Sequence, residues 1–254
     1  MMKYKKILGI DIGGSGIKGA PVNTKKGKLI DKRLRVATPD PATPEAVAAV
    51  IRQIAEHFKW DGLIGCGFPG VVRNGIVRTA ANLDKSWADV DARKLFSEKT
   101  GLPVTIVNDA DSAGMAEMKF GAGKHQKGAV ILITVGTGIG TVFFTKGKLL
   151  PNTELGHLIF KGMDAEVYTS DATRKRENLT WDDWAERFNE YLREIYRLFS
   201  PDMIIIGGGV SKKGKKFFDH LTVDTRIVAA KLKNEAGIIG AALAARANRD
   251  YLKG

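Results

Sequence analysis

Ile7-Leu8-Gly9-Ile10-Asp11-Ile12-Gly13-Gly14-Ser15-Gly16-Ile17-Lys18-Gly19-Ala20-Pro21-Val22 is the stretch that decides the fold. Ile7 to Asp11 is a short apolar run that reads as a buried strand, Gly13-Gly14 as a turn, and Ile17 to Val22 as the strand returning beside it. The same grammar recurs farther along. Val130 to Val135 reads as a strand, Gly136-Thr137-Gly138 as a turn, and Ile139 to Thr145 as the return. Gly27-Lys28-Leu29-Ile30 after the first pair is answered by Gly147-Lys148-Leu149-Leu150 after the second. Two hairpin openings of one pattern predict two lobes, although a single matching tetrapeptide pair is also what chance similarity gives.

Outward from these hairpins, strands and helices alternate. Leu29 to Val36 reads as a third strand. Thr43 is placed to cap a helix with Pro44 at its first position, and Val47, Val50, Ile51, Ile54 and Phe58 follow at helical spacing. Leu63 to Phe68 is a strand ending in Pro69-Gly70, and Asn74-Gly75 marks a hairpin turn. Val104 to Val107 is a buried strand that runs into Asn108-Asp109-Ala110-Asp111 and a helix through Phe120. Trp181 to Phe199 is a long amphipathic helix with Thr180 as its cap and Asp182 and Asp183 suited to its N-terminal dipole. Met203 to Ile206 and Ile227 to Ala230 read as strands, and Gly237 to Ala247 as a last helix of small residues. The class is α/β, and 254 residues suffice for two lobes.

Composition narrows the partners. Forty Lys and Arg against 28 Asp and Glu give a net charge of +12, and the sequence pI is near 9.7. Such a chain attracts a polyanion, an anionic membrane or acidic substrates, unless the charge simply solvates the surface. The single cysteine, Cys66, excludes an intramolecular disulfide and a Cys-based zinc site. Met1 to Lys6 has no apolar run of signal-peptide length, and no segment approaches the roughly 20 apolar residues of a membrane span. The expected compartment is the cytoplasm, with no membrane partner. The 29 glycines gather in short clusters, which fits tight turns beside a ligand.

Three of those clusters follow buried strands: Asp11 to Gly16, Gly136 to Gly140 and Gly207 to Gly209. Phosphates favour such turns because backbone N–H groups approach without Cβ interference. The P-loop pattern Gly-x4-Gly-Lys-Ser/Thr is absent, and the β-like residues after Gly138 exclude a dinucleotide fingerprint. Asp11 at a strand end can hold Mg²⁺, directly or through water, and Lys18 across the hairpin can face the same anion; a turn-capping Asp and a solvated Lys fit the spacing equally. Asn108-Asp109 at the end of a strand suits a proton acceptor for an alcohol, or else Asp109 or Asp111 caps the helix. Glu154 and His157 can point at one ligand, whereas a lone His is more often structural.

Asp11-Ile12-Gly13-Gly14-Ser15-Gly16-Ile17-Lys18 resembles the first phosphate motif of the ROK family of sugar kinases. Asn108-Asp109-Ala110-Asp111, Gly136-Thr137-Gly138-Ile139-Gly140, Glu154-x-Gly156-His157 and Gly207-Gly208-Gly209-Val210-Ser211 match further family motifs in the same order. The resemblance spans nearly the whole chain. It implies an actin-like (ribonuclease H-like) two-lobed fold with the sugar in a central cleft, residues 1–108 plus 238–254 forming the small lobe and 109–237 the large one. It implies Asp109 as the general base for the sugar's 6-hydroxyl, with sugar contacts from Asn82, Asn108, Asp109, Glu154, His157 and Glu166. Asp11, Gly13, Gly14, Ser15, Gly16, Lys18, Thr137, Gly138, Gly208 and Gly209 would meet the phosphates, with Mg²⁺ as cofactor. A homodimer is the family expectation.

One departure refines the resemblance. Most members carry a Cys-rich zinc motif soon after Glu-x-Gly-His, but Phe160 to Glu166 has no cysteine, so no structural zinc is expected. This zinc-free pattern, with Trp181-Asp182-Asp183-Trp184-Ala185, is similar to the branch of the family that phosphorylates glucose from inorganic polyphosphate. Lys212, Lys213, Lys215 and Lys216 follow the triple glycine and suit a long anion better than a purine. Arg174, Lys175, Arg176, Lys124 and Lys127 would extend that track, unless these are three solvated loops. The expectation is a polyphosphate-dependent glucokinase with ATP as a second donor. The alternatives are an ATP-dependent hexokinase acting on glucose or mannose, and a sugar-sensing or nucleic-acid-binding regulator, which the intact Asp109 and glycine turns disfavour; no nucleic-acid partner is expected.

Overall fold

The computed structural model describes residues 5–80 and 83–248. In chain order these form β1 (Lys6–Gly13), β2 (Gly16–Asn23), β3 (Lys28–Leu29), β4 (Leu34–Val36), α1 (Pro44–His57), β5 (Ile64–Phe68), β6 (Val72–Arg73), β7 (Ile76–Val77), α2 (Ala92–Thr100), β8 (Val104–Asn108) and α3 (Asp109–Phe120). There follow β9 (Ala129–Val135), β10 (Ile139–Thr145), β11 (Lys148–Leu150), β12 (Ile159–Phe160), β13 (Met163–Asp164), α4 (Ala165–Thr169), α5 (Asp171–Arg176), α6 (Trp181–Phe199), β14 (Met203–Gly208), β15 (Arg226–Ala229) and α7 (Ala236–Ala247). The chain divides into two compact units, Met1–Phe120 with Glu235–Gly254, and Gly121–Asn234. No described helix is long and apolar enough to cross a membrane.

The sheet of the first unit has the order β3-β2-β1-β5-β8. β1 is antiparallel to β2 and parallel to β5, and β5 is parallel to β8. The first turn is Gly14-Ser15, one residue later than the sequence suggested, because β1 keeps pairing through Gly13 and β2 begins at Gly16. The expected strand from Leu29 to Val36 divides in two. Leu29 faces Val22 and Leu34 faces Gly19, so the longer step on this side throws out the exposed Asp31 and Lys32. α1 begins as expected, the Thr43 hydroxyl accepting from the Ala46 N–H at 3.3 Å. Its Val47, Ile51 and Ile54 enter a core with Ile10, Ile12, Trp87 and Phe96.

α7 covers the same sheet at unusually close range. A side chain on Gly9 would put its Cβ 2.0 Å from the Ile238 carbonyl oxygen, and one on Gly65 would put it 1.9 Å from that of Ala241. α3 also lies against α7, where a Cβ on Gly240 would fall 1.6 Å from the Ser112 carbonyl oxygen. Through this contact α3 packs with the first unit, whose extent, Met1–Phe120 with Glu235–Gly254, differs from the expected lobe of 1–108 with 238–254.

The second unit repeats the plan, with the sheet order β11-β10-β9-β14-β15. β9 is antiparallel to β10 and parallel to β14, as β1 is to β2 and β5. The tetrapeptides matched in the sequence supply the equivalent third strands β3 and β11. α6 has the bounds read from the sequence, and Thr180 caps it by accepting from the Asp183 N–H at 3.1 Å. Its Trp184 stacks on Phe188 at 5.0 Å, and Phe217 meets Trp184 edge-on at 5.1 Å.

Candidate active site

The first glycine turn is built by strand register. Asp11 on β1 lies opposite Lys18 on β2, and the lysine Nζ reaches the carboxylate at 3.3 Å. Both are partly buried. Asp11 also packs on the first turn of α7, where a Cβ on Gly237 would lie 2.9 Å from its carboxyl carbon. A helix N-terminus there favours negative charge. The turn itself is pinned from outside: Thr38 donates its hydroxyl to the Gly13 carbonyl, and Arg35 donates from Nη2 to the Ser15 carbonyl at 2.8 Å. Neither Thr38 nor Arg35 carried a signal in the sequence, because what places them is the pairing of β4 with β2.

At the junction of β8 and α3, Asn108 supplies the cap. Its Oδ1 accepts from the Asp111 N–H at 3.0 Å, and its Nδ2 donates to the Gly70 carbonyl at 3.0 Å. The capping role left open between Asp109 and Asp111 thus falls to Asn108. Asp109 stands at the first position of α3, half-buried, its Oδ1 accepting from the Ala110 N–H at 2.7 Å. Asn82 lies outside the described residues.

In the second unit the structure gathers Glu154, His157 and Glu166 around the second turn. The Glu166 carboxylate accepts from the Ile139 N–H at 3.1 Å, and a Cβ on Gly138 would lie 2.4 Å from its Oε2. Gly138 is therefore the residue that lets Glu166 lie on the turn. The segment before Glu154 is stitched to β10: Thr141 and Thr153 exchange hydroxyl-to-carbonyl bonds at 2.7 and 2.9 Å, and the Leu155 N–H donates to Thr141 Oγ1 at 2.9 Å. Gly156 sits where a Cβ would be 2.2 Å from the Ile139 carbonyl oxygen, which explains the small residue between Glu154 and His157. His157 Nδ1 bonds Asp164 Oδ2 at 2.9 Å, tying it to the β12–β13 hairpin. That bond raises the His157 pKa above its ordinary value; partial burial opposes the rise, and the nearby carboxylates support it. Burial raises the pKa of Glu154, with His157 opposing and Glu166 adding to the rise.

The third cluster adjoins the second turn. Gly208, with φ of 75°, lies opposite Val135, and a Cβ there would fall 2.3 Å from the Val135 carbonyl oxygen. Only glycine fits on both counts. The next residues, Gly209–Lys216, form 3-10 turns with Lys212, Lys213, Lys215 and Lys216 exposed, and none of the four has an ion-pair partner among the described residues. Arg174, Lys175 and Arg176 differ. Arg174 and Lys175 pair with Asp171 at 2.9 and 2.7 Å, and Arg176 with Glu177 at 3.1 Å. The two groups meet at Trp181, whose ring has the Arg174 guanidinium 4.3 Å and the Lys216 Nζ 5.8 Å from its centroid. Lys124 and Lys127 precede β9, at the end of the sheet away from the second turn. The seven-residue strand puts about 20 Å between them and that turn.

Two α/β units with one sheet plan, each opening on a glycine-turned hairpin, define an actin-like sugar kinase fold. The ROK family model matches residues 7–175, and the chain belongs to the ROK family. It is 46% identical over 245 residues to the polyphosphate glucokinase of Mycobacterium tuberculosis (strain CDC 1551 / Oshkosh), covering 96% of this chain and 92% of that protein. The structure of an inorganic polyphosphate/ATP-glucomannokinase from Arthrobacter sp. strain KM superposes with a TM-score of 0.92 at 45% identity, covering 96% of this chain and 99% of that one. A ROK family glucokinase from Streptomyces griseus, in complex with glucose and AMPPNP, gives 0.82 at 26% identity over 95% and 99%.

Proposed function

We propose that this chain is a polyphosphate-dependent glucokinase that transfers the terminal phosphoryl group of inorganic polyphosphate, and of ATP as a second donor, to the 6-hydroxyl of glucose. The observation that carries this reading is end-to-end similarity, 46% over 96% of the chain, to a polyphosphate glucokinase. The site supports it. Asp109, with the helix cap supplied by Asn108, takes the hydroxyl proton as the oxygen attacks phosphorus. Glu154, His157 and Glu166 hold sugar hydroxyls, with Asn108 and Asn82 completing the contacts. Backbone N–H groups of Gly13 to Gly16, Thr137, Gly138, Gly208 and Gly209, with Lys18, hold the donor phosphates.

Asp11 is the residue we assign to Mg²⁺. The Asp11 carboxylate at the end of β1, beside the first glycine turn and engaged by Lys18 at 3.3 Å, would hold the ion through water, as suits an ion that keeps several waters and leans on substrate phosphates. When bound, it would screen phosphate oxygens. We take the enzyme to work in the cytoplasm as a homodimer.

Glucose phosphorylation measured with polyphosphate and with ATP in separate reactions tests the reading. Turnover with polyphosphate is expected. Turnover with ATP alone would make the chain an ATP-dependent hexokinase, and a mannose arm reports sugar choice.

A further inference from the structure

The geometry points to Arg35 as a donor-binding residue, a guanidinium fixed over the first glycine turn to grip a phosphate of the polyphosphate chain. This rests on the reading of the chain as a polyphosphate-dependent kinase. Arg35 belongs to none of the motifs above; strand register brings it in. It lies opposite Lys18, and Lys18 lies opposite Asp11, so the three side chains form one row across β4, β2 and β1. Within that row the Lys18 charge is engaged by Asp11 at 3.3 Å. Arg35 is exposed and has no carboxylate partner among the described residues. It is the cation of the row whose charge is not neutralised.

Its position is fixed by the turn. Nη2 donates to the Ser15 carbonyl at 2.8 Å. The guanidinium lies so close to Gly16 that a Cβ there would stand 2.7 Å from Nε, 2.8 Å from Nη2 and 2.9 Å from Cζ. Glycine at position 16 is thus what lets this side chain lie flat on the turn. A guanidinium has five N–H donors in a rigid fork, and the Ser15 carbonyl takes one. The remaining donors suit phosphate oxygens, which a planar fork binds in pairs, whereas an ammonium binds them as a point charge.

The test uses Arg35→Gln and Arg35→Lys in the full-length enzyme. Arg35→Gln is expected to raise the KM for polyphosphate about tenfold or more, the effect of losing one charge-assisted hydrogen bond. The KM for glucose and the thermal midpoint should hold, and the slope of log KM against log salt should fall by about 0.7. Arg35→Lys should lie between, keeping charge without the fork. An unchanged KM for polyphosphate would overturn the assignment. So would a joint shift of both KM values and the thermal midpoint in both variants, which is the signature of a residue that merely pins the turn. Calorimetric titration with inorganic tripolyphosphate, without glucose, separates this inference from the functional reading. If the wild type uses only ATP, the functional reading fails, yet weaker tripolyphosphate binding by Arg35→Gln still supports Arg35. Equal binding, or none by the wild type, overturns it.

Discussion

At Asn108-Asp109 two adjacent polar side chains divide two tasks. Asn108 caps α3 and bonds the Gly70 carbonyl, while Asp109 takes the first helical position. Asp109→Asn preserves shape and removes the proton acceptor. It should lower kcat by about 10²–10⁴-fold while calorimetric glucose affinity is retained, and near-normal turnover would remove Asp109 from the role. His157 offers a second residue-level test. Its raised pKa comes first from the Asp164 hydrogen bond, so the folded state binds this proton more tightly than the unfolded chain. The stabilisation is therefore full below the unfolded value of about 6.5 and is lost as pH rises through the folded pKa. Asp164→Asn should bring the His157 pKa down, read from the imidazole resonances in NMR. The wild type should also lose more thermal midpoint than this variant as pH is raised across that window; parallel curves would show that the bond does not set the titration. The raised pKa of Glu154 is common to both proteins and drops out of the comparison.

Among the elements, α7 is the one whose packing most constrains side-chain size. Gly65 on β5 and Gly240 on α7 both face backbone carbonyls at distances no Cβ tolerates. Gly65→Ala and Gly240→Ala should each cost about 1–3 kcal/mol or more by overpacking, lowering the thermal midpoint by several degrees at about 2–4 °C per kcal/mol. Gly136→Ala is the contrasting case, since nothing lies within 4 Å of a Cβ there; its thermal midpoint should barely move, and three equal losses would refute the close-packing account. Such contacts mark the limit of the sequence. The start of α6 was legible because the Thr180 cap is local. The Asp11–Lys18 pair was only half legible: the sequence put both residues on one hairpin, but a turn at Gly13-Gly14 would set Asp11 opposite Gly16, and it is the turn at Gly14-Ser15 that brings Lys18 there. The split into β3 and β4 was not legible, since it depends on how each half meets β2. α2 was missed because among its nine residues only Ala92 and Phe96 are buried, leaving a weak apolar period. Spacing also left Asp109 undecided between capping and catalysis, and the structure gives the cap to Asn108, which spacing did not single out for it.

Over the whole molecule the charge of +12 is unevenly available. Arg174, Lys175 and Arg176, with Arg187 beside them, share the two carboxylates Asp171 and Glu177, so their field at a distance is partly offset. Lys212, Lys213, Lys215 and Lys216 are exposed and have no ion-pair partner among the described residues, and they follow directly on the third glycine cluster. Lys124 and Lys127 lie at the other end of the β9 strand, so an anion touching both groups must run the length of the sheet. A polyanion held by the lysine quartet displaces counterions, and each phosphate neutralised adds about 0.7 to the salt slope. Replacing all four lysines by Gln should therefore raise the KM for polyphosphate and reduce that slope by about 3. Replacing Arg174, Lys175 and Arg176 by Gln should leave most of the slope in place and lower the thermal midpoint instead, because it strands the partly buried Asp171 carboxylate. Replacing Lys124 and Lys127 should change the KM for long chains more than for tripolyphosphate. Measuring KM at several salt concentrations for the three variants decides among the clusters, and an unaltered slope in the quartet variant would reduce Lys212 to Lys216 to a solvated loop.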